Sequence, residues 1–185
     1  MRLAYAVGVT RRDFLRLSLW GGGVLVAGTG ALHLWPTARE LRPRRALRFL
    51  DDSKFAVLAA VAARVCAGVP TADAIEIAHA VEASMTTTPP EVREQFVQLL
   101  GFLESAAAGL FFDGRPQPFS RLTPAGQDEA LFAFRDSRLG LRRAGYQALR
   151  KLCIGACYAD ARTWPGVGYP GPPQIQLPAD YVVAP

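Results

Sequence analysis

The sequence is short of the side chains that carry most catalytic chemistry. It has two histidines, His33 and His79, and three cysteines, Cys66, Cys153 and Cys157. A Ser-His-Asp triad would therefore depend on His79 once the N-terminal segment is set aside, and a lone histidine on a helix is more often structural. Three thiolates do not fill a four-thiolate iron–sulfur site. Zinc would need carboxylates or His79 beside them, and no ligand spacing supports that. Covalent c-type haem is not expected, because no Cys-x-x-Cys-His occurs. No Gly-x-Gly-x-x-Gly follows a predicted strand, so a dinucleotide-binding fold is not indicated. Asp51-Asp52 suits helix capping better than acid–base work. Catalytic, cofactor-binding and metal-ligating residues are thus expected to be none in this chain.

Strands are missing as well, for no run of strand length alternates with period two. Excess charge is also slight. The net charge is +5, and Arg2, Arg11, Arg12 and Arg16 against Asp13 supply three of those five charges. The rest of the chain is close to balanced and makes no case for nucleic acid. What is present is apolar. Half of the 185 residues are hydrophobic and 20% are charged. That composition supports one domain with a core and excludes general disorder.

The apolar content begins at the N-terminus. Thr10-Arg11-Arg12-Asp13-Phe14-Leu15-Arg16 leads directly into an apolar stretch over residues 17–35, broken by Gly21, Gly22, Gly23, Gly28 and Gly30. Paired arginines before a stretch of moderate hydrophobicity resemble a twin-arginine export signal, with Arg11, Arg12, Phe14 and Leu15 as its marks. Residues 1–35 are assigned to this segment. No Ala-x-Ala and no cysteine follows it, and its length suits a membrane span, so cleavage and retention as an anchor both stay open. The twin-arginine route carries folded proteins into the periplasm.

Residues 36–50 are rich in proline and arginine and read as a linker. Arg42, Arg44, Arg45 and Arg48 fit a solvated segment, or contact with anionic lipid headgroups. Residues 51–160 carry helical periodicity. Phe55, Leu58, Val61 and Val65 mark a first helix after Asp51-Asp52-Ser53. Ile75, Ala78, Val81 and Met85 mark a second, capped by Thr71. Val92, Phe96, Leu99, Leu100 and Leu103 mark a third. Residues 109–120 read as a loop. Thr123-Pro124 opens a fourth helix with Leu131, Phe132 and Phe134. A fifth runs over residues 138–158 with Leu141, Tyr146, Leu149, Leu152, Cys153 and Ala156. The fold class expected is all-α, a domain of roughly five helices. It is followed over residues 161–185 by an extended Gly/Pro-rich tail that wraps the domain or docks on a partner.

Cys153 and Cys157 lie four apart on one helix face, where a mutual bridge would strain the helix. Cys66 reaches them if the first and last helices pack together. Buried thiols, one internal disulfide, or an intermolecular disulfide through Cys153 or Cys157 are the alternatives.

Several motifs together resemble the gluconate 2-dehydrogenase subunit 3 family. They are the twin-arginine start, Phe119-Ser120-Arg121-Leu122-Thr123, Phe134-Arg135-Asp136-Ser137, and Cys157-Tyr158-Ala159-Asp160 leading to Trp164-Pro165-Gly166-Val167-Gly168-Tyr169-Pro170-Gly171-Pro172. The resemblance covers roughly residues 50–173, and the sequence departs from many relatives in its short 64–74 connection. It implies a non-catalytic small subunit with no cofactor of its own. Its partner would be a large FAD-dependent dehydrogenase of the glucose–methanol–choline type. A cytochrome c subunit would be a further partner, and the twin-arginine machinery would deliver the complex to the periplasm, at the inner membrane. In that setting Trp164, Gly168, Tyr169, Pro170 and Pro172 are the expected partner-binding residues, with packing of Trp164 and Tyr169 on their own domain as the alternative. Two other readings compete: a membrane-anchored structural protein, and a stand-alone redox protein using Cys66, Cys153, Cys157 and His79.

Overall fold

The structure, a computed structural model, describes residues 41–172. The export segment with Arg11, Arg12, Phe14 and Leu15, the start of the linker, and the tail from residue 173 onward lie outside the described residues.

Among the described residues there are six α-helices and no strand, so the all-α expectation holds. They are α1 (Asp52–Val65), α2 (Ala74–Met85), α3 (Pro90–Glu104), α4 (Ala106–Asp113), α5 (Pro124–Arg135) and α6 (Gly140–Ala159). Single 3-10 turns follow α4, at Phe119–Arg121, and α6, at Ala161–Thr163 and Pro165–Val167.

α1 is the centre of the packing. Eight consecutive residues, Phe55 to Ala62, are buried, so this helix is covered all round and not only along a stripe. Its four buried alanines, Ala56, Ala59, Ala60 and Ala62, keep its girth small, and α2, α3, α5 and α6 all pack against it. The large side chains Phe55, Leu58, Leu100, Phe119 and Leu149 are fully enclosed there. Truncating a side chain such as Leu149 to alanine in such a core costs about 2–5 kcal/mol. α6 presents a narrower face, with Arg142, Gly145, Leu149, Cys153 and Cys157 buried at three- and four-residue steps.

Two helix boundaries differ from the sequence expectation. α2 is capped by Asp73, whose carboxylate accepts from the backbone N–H groups of Ile75 and Glu76, and not by Thr71. The chain first turns at Val69–Ala72 through an Ala72 N–H to Val69 C=O bond, which puts Thr71 inside the turn. The second difference is α4, whose C-terminal half lies in the expected loop 109–120. Ser105 ends α3 and its Oγ caps α4 by accepting from the Ala108 N–H, so helix resumes after a 66° bend. Gly109 stands inside α4 because the Arg115 carbonyl comes down on it; a Cβ there would sit 2.8 Å from that oxygen. The helix ends one turn later at Gly114, whose φ of 68° is the left-handed conformation that glycine adopts freely.

Candidate functional site

Most of the polar side chains buried in this domain hold its parts together. The clearest set joins residues 41–50 to α2. Arg44 donates its backbone N–H to His79 Nε2 at 3.2 Å, and the imidazole lies 4.6 Å from the Phe55 ring. Burial, with Arg45 and Arg44 nearby and only partly offset by Glu76 and Glu82, lowers the His79 pKa from its usual value. The neutral ring is the form that accepts at Nε2. One turn further along α2, Glu82 is 2% exposed and its Oε1 accepts the backbone N–H groups of both Arg48 and Phe49. Outside these, Arg44 pairs with Asp73 and Arg45 with Glu76 at 2.9 Å. Burial works to raise the Asp73 carboxyl, but the Arg44 bond and the two N–H groups that it caps hold it below the usual carboxylate range.

Arg42, Arg44, Arg45 and Arg48 are exposed, as a solvated run would be, but residues 41–50 are not a free linker. They form a strap, with Leu41, Leu47, Phe49 and Leu50 packed on the core. Two of the four arginines of the basic run are spent on carboxylates of the same domain.

A second cluster clamps α4 to α6. Arg142, 6% exposed, gives one guanidinium nitrogen to both oxygens of Asp113 at 2.8 and 2.7 Å, while Arg115 holds the same carboxylate at 2.8 Å. The Arg142 guanidinium also lies 4.3 Å from the Phe134 ring and 5.2 Å from the Phe112 ring. One carboxylate thus serves two cations, and the Nε atoms of Arg115 and Arg142 are buried without a hydrogen-bond partner. A third pair, Arg64 with Asp128, is bidentate at 2.8 and 2.7 Å and links α1 to α5. It borders a surface groove of about 290 Å³ whose other walls include Phe132, Tyr146 and Arg150. A fourth joins Glu104 to both the N–H and the hydroxyl of Ser120. Burial raises the Glu104 carboxyl, with the two Ser120 bonds acting the other way.

The three cysteines come together where the end of α1 meets α6, as the sequence requires for any pairing of Cys66. They stand there as free, buried thiols. Cys66 Sγ is 3.7 Å from the Cys153 carbonyl oxygen. Burial, with Cys157 hydrogen-bonded alongside and Cys153 close by, pushes the Cys66 thiol up to about 12. Burial, with Cys157 again adjacent, takes Cys153 to about 12 as well. Thiols in that range carry almost no thiolate near neutrality and are poor nucleophiles. His79 is engaged by Arg44 and is not part of this group. Among the described residues no set of three His, Cys, Asp or Glu side chains is placed to hold a metal ion.

Of the expected partner-binding residues, Trp164 is half-buried on its own domain. Its indole N–H donates to the Tyr158 carbonyl at 2.9 Å, and its ring meets Tyr169 edge-on at 5.3 Å. The Tyr169 N–H returns to the Trp164 carbonyl at 3.0 Å, and Gly171 lies against the indole. Residues 161–171 are therefore a folded knot of two 3-10 turns, where the sequence suggested an extended Gly/Pro-rich tail. Gly168, Tyr169, Pro170 and Pro172 are on its exposed side.

The family model described as gluconate 2-dehydrogenase subunit 3 matches residues 52–171. The chain belongs to that family. The match opens on the first residue of α1 and closes on the glycine under Trp164, so it takes in all six helices and the knot but not the strap. No curated protein and no solved structure matches the chain. Membership places the chain among the subunits of dehydrogenase complexes. Sequence reasoning missed Glu82, Asp113, Arg142 and Asp128. The one available signal was a charge on the apolar face of a helix, as with Glu82 next to Val81 and Arg142 in register with Leu149.

Proposed function

We propose that this chain is the non-catalytic small subunit of a periplasmic FAD-dependent dehydrogenase of the glucose–methanol–choline type. It binds the large flavoprotein subunit, escorts it through twin-arginine export and stabilises it in the assembled complex. The observation that carries the reading is the family match over the whole helical domain. The way that the buried polar side chains are used supports it. His79, Glu82 and Arg142, and the half-buried Glu104, are each engaged by contacts within the chain, which suits a scaffold better than a reaction centre. In this reading FAD belongs to the partner, a cytochrome c subunit takes the electrons onward, and Arg11 and Arg12 direct the folded complex to the periplasmic side of the inner membrane. The sequence of this subunit does not select the sugar or alcohol oxidised.

The test is co-expression of the flavoprotein with the full chain and with a chain lacking residues 1–35. Periplasmic FAD and dye-linked dehydrogenase activity are expected only with the full chain. Equal export in both cases would remove the escort role. N-terminal sequencing of the exported chain distinguishes a cleaved signal from a retained anchor.

A further inference from the structure

α4 is the apolar element that its own domain covers least. Among its eight residues only Asp113 is charged and only Gly109 is buried. Leu110 is 58% exposed, Phe111 82% and Phe112 42%. Leu139 and Leu141, at the start of α6, are 48% and 76% exposed. Both lie within three residues before Arg142, and Arg142 is the residue that grips Asp113 and lies on Phe112. The end of α4 and the first turn of α6 are therefore tied together by this one arginine, and the two segments carry five large apolar side chains in solvent. Single exposed leucines are ordinary on a protein surface; three consecutive exposed apolar residues with a nearly bare phenylalanine among them are not.

The lock matters to what the patch can do. A carboxylate shared by two arginines, all three largely buried, is an expensive way to gain stability. What it does provide is a fixed pose for a short helix. A rigid aromatic presentation lowers the ordering cost of association. Charge defines the partner further. Arg142 is spent on Asp113, but Arg143, Arg150 and Lys151 remain on α6 with no acidic residue over its 20 positions. Arg138 and Arg143 are exposed next to Leu139 and Leu141. A second copy of this chain would bring like charges face to face across a two-fold axis.

We propose that Leu110, Phe111, Phe112, Leu139 and Leu141 form the face on which the large dehydrogenase subunit docks, and that the receiving surface is an apolar hollow rimmed by carboxylates. The proposal rests on the reading of the chain as a small subunit. It moves the principal contact away from the Trp164 knot, whose indole is already used internally.

The experiment compares retention of the flavoprotein by the affinity-tagged full chain, by Phe111→Asp/Leu141→Asp, and by Val92→Asp, an exposed apolar position on α3. Loss of two central anchors is expected to lower retention about tenfold or more. The thermal midpoint of the variant should stay with the wild type, and Val92→Asp should retain its partner. Arg138→Glu/Arg143→Glu should weaken retention most at low salt. Full retention by Phe111→Asp/Leu141→Asp overturns the proposal, as does equal loss with Val92→Asp. So does release of that variant from phosphatidylglycerol vesicles while the flavoprotein stays bound, because the patch would then be a membrane face. A wild-type chain that retains no flavoprotein instead refutes the small-subunit reading itself.

Discussion

Glu82→Ala should detach the strap without touching the helical core. Glu82 Oε1 accepts from two backbone donors, the N–H groups of Arg48 and Phe49, the latter at 3.0 Å. Stranding a buried donor costs about 1–3 kcal/mol, and because these two bonds are only part-buried, water reaching the vacated space recovers part of that. The two together come to about 2–4 kcal/mol. For a chain of this size the thermal midpoint should fall by about 5–15 °C. Glu82→Gln separates the bonds from the charge. Its amide oxygen keeps the position of Oε1 and both lone pairs, so less than half of the loss is expected. Thermal unfolding by circular dichroism gives the midpoints. Amide hydrogen exchange at Arg48 and Phe49 gives the location, with protection lost in Glu82→Ala and largely kept in Glu82→Gln. An unchanged midpoint for Glu82→Ala, or equal losses for the two variants, would refute this account of the strap.

Other perturbations follow from the same contacts. The fold depresses the His79 pKa, so the unfolded chain takes up a proton near the usual 6.5 before the native chain does. That contribution to stability is complete above the unfolded value and is lost as pH falls below it. Urea midpoints should therefore drop from pH 7 to pH 5, and His79→Gln should flatten part of that drop. Asp113→Ala strands two guanidinium groups whereas Arg142→Met leaves Asp113 with Arg115, so urea titration should give about 3–5 kcal/mol for the first and clearly less for the second. Gly155 on the exposed side of α6 has no atom within 4 Å of an added Cβ, so Gly155→Ala should raise stability by about 0.5–1 kcal/mol. Gly109→Ala should instead lose about 1–3 kcal/mol in the same titration, because a backbone carbonyl blocks the methyl group.

The sequence was readable wherever a short local rule decides the structure. The Phe55–Val65 periodicity, the Thr123-Pro124 start of α5 and the long stripe of α6 follow from spacing and capping within one or two turns. The grouping of Cys66 with Cys153 and Cys157 needed only that the first and last helices pack. What local rules could not supply were bonds between distant residues. The strap has no periodicity, and it is held by α2 side chains 33 to 35 positions away. Arg142 and Asp113 are 29 apart. Gly109 has the look of a loop residue, and only the approach of Arg115 explains why a helix needs a glycine there. Of the candidate interface, the tail motif was visible because it is compositional. The α4 patch was not, because its phenylalanines read like core residues until the neighbours fail to cover them.

The strap also sets the order in which the domain would come apart under tension. A pull transmitted from the N-terminal side meets the 41–50 segment first. There the load falls on a few side-chain-to-backbone bonds, those of His79 and Glu82, together with the arginine pairs outside them. These can be lost one after another, like teeth of a zip. The next segment in line is α1, which four other helices surround. Drawing it out would collapse the remainder in one event. The fold therefore has a yielding leash on an unyielding anchor: about one turn of α2 decides how far the first can run before the second takes the strain.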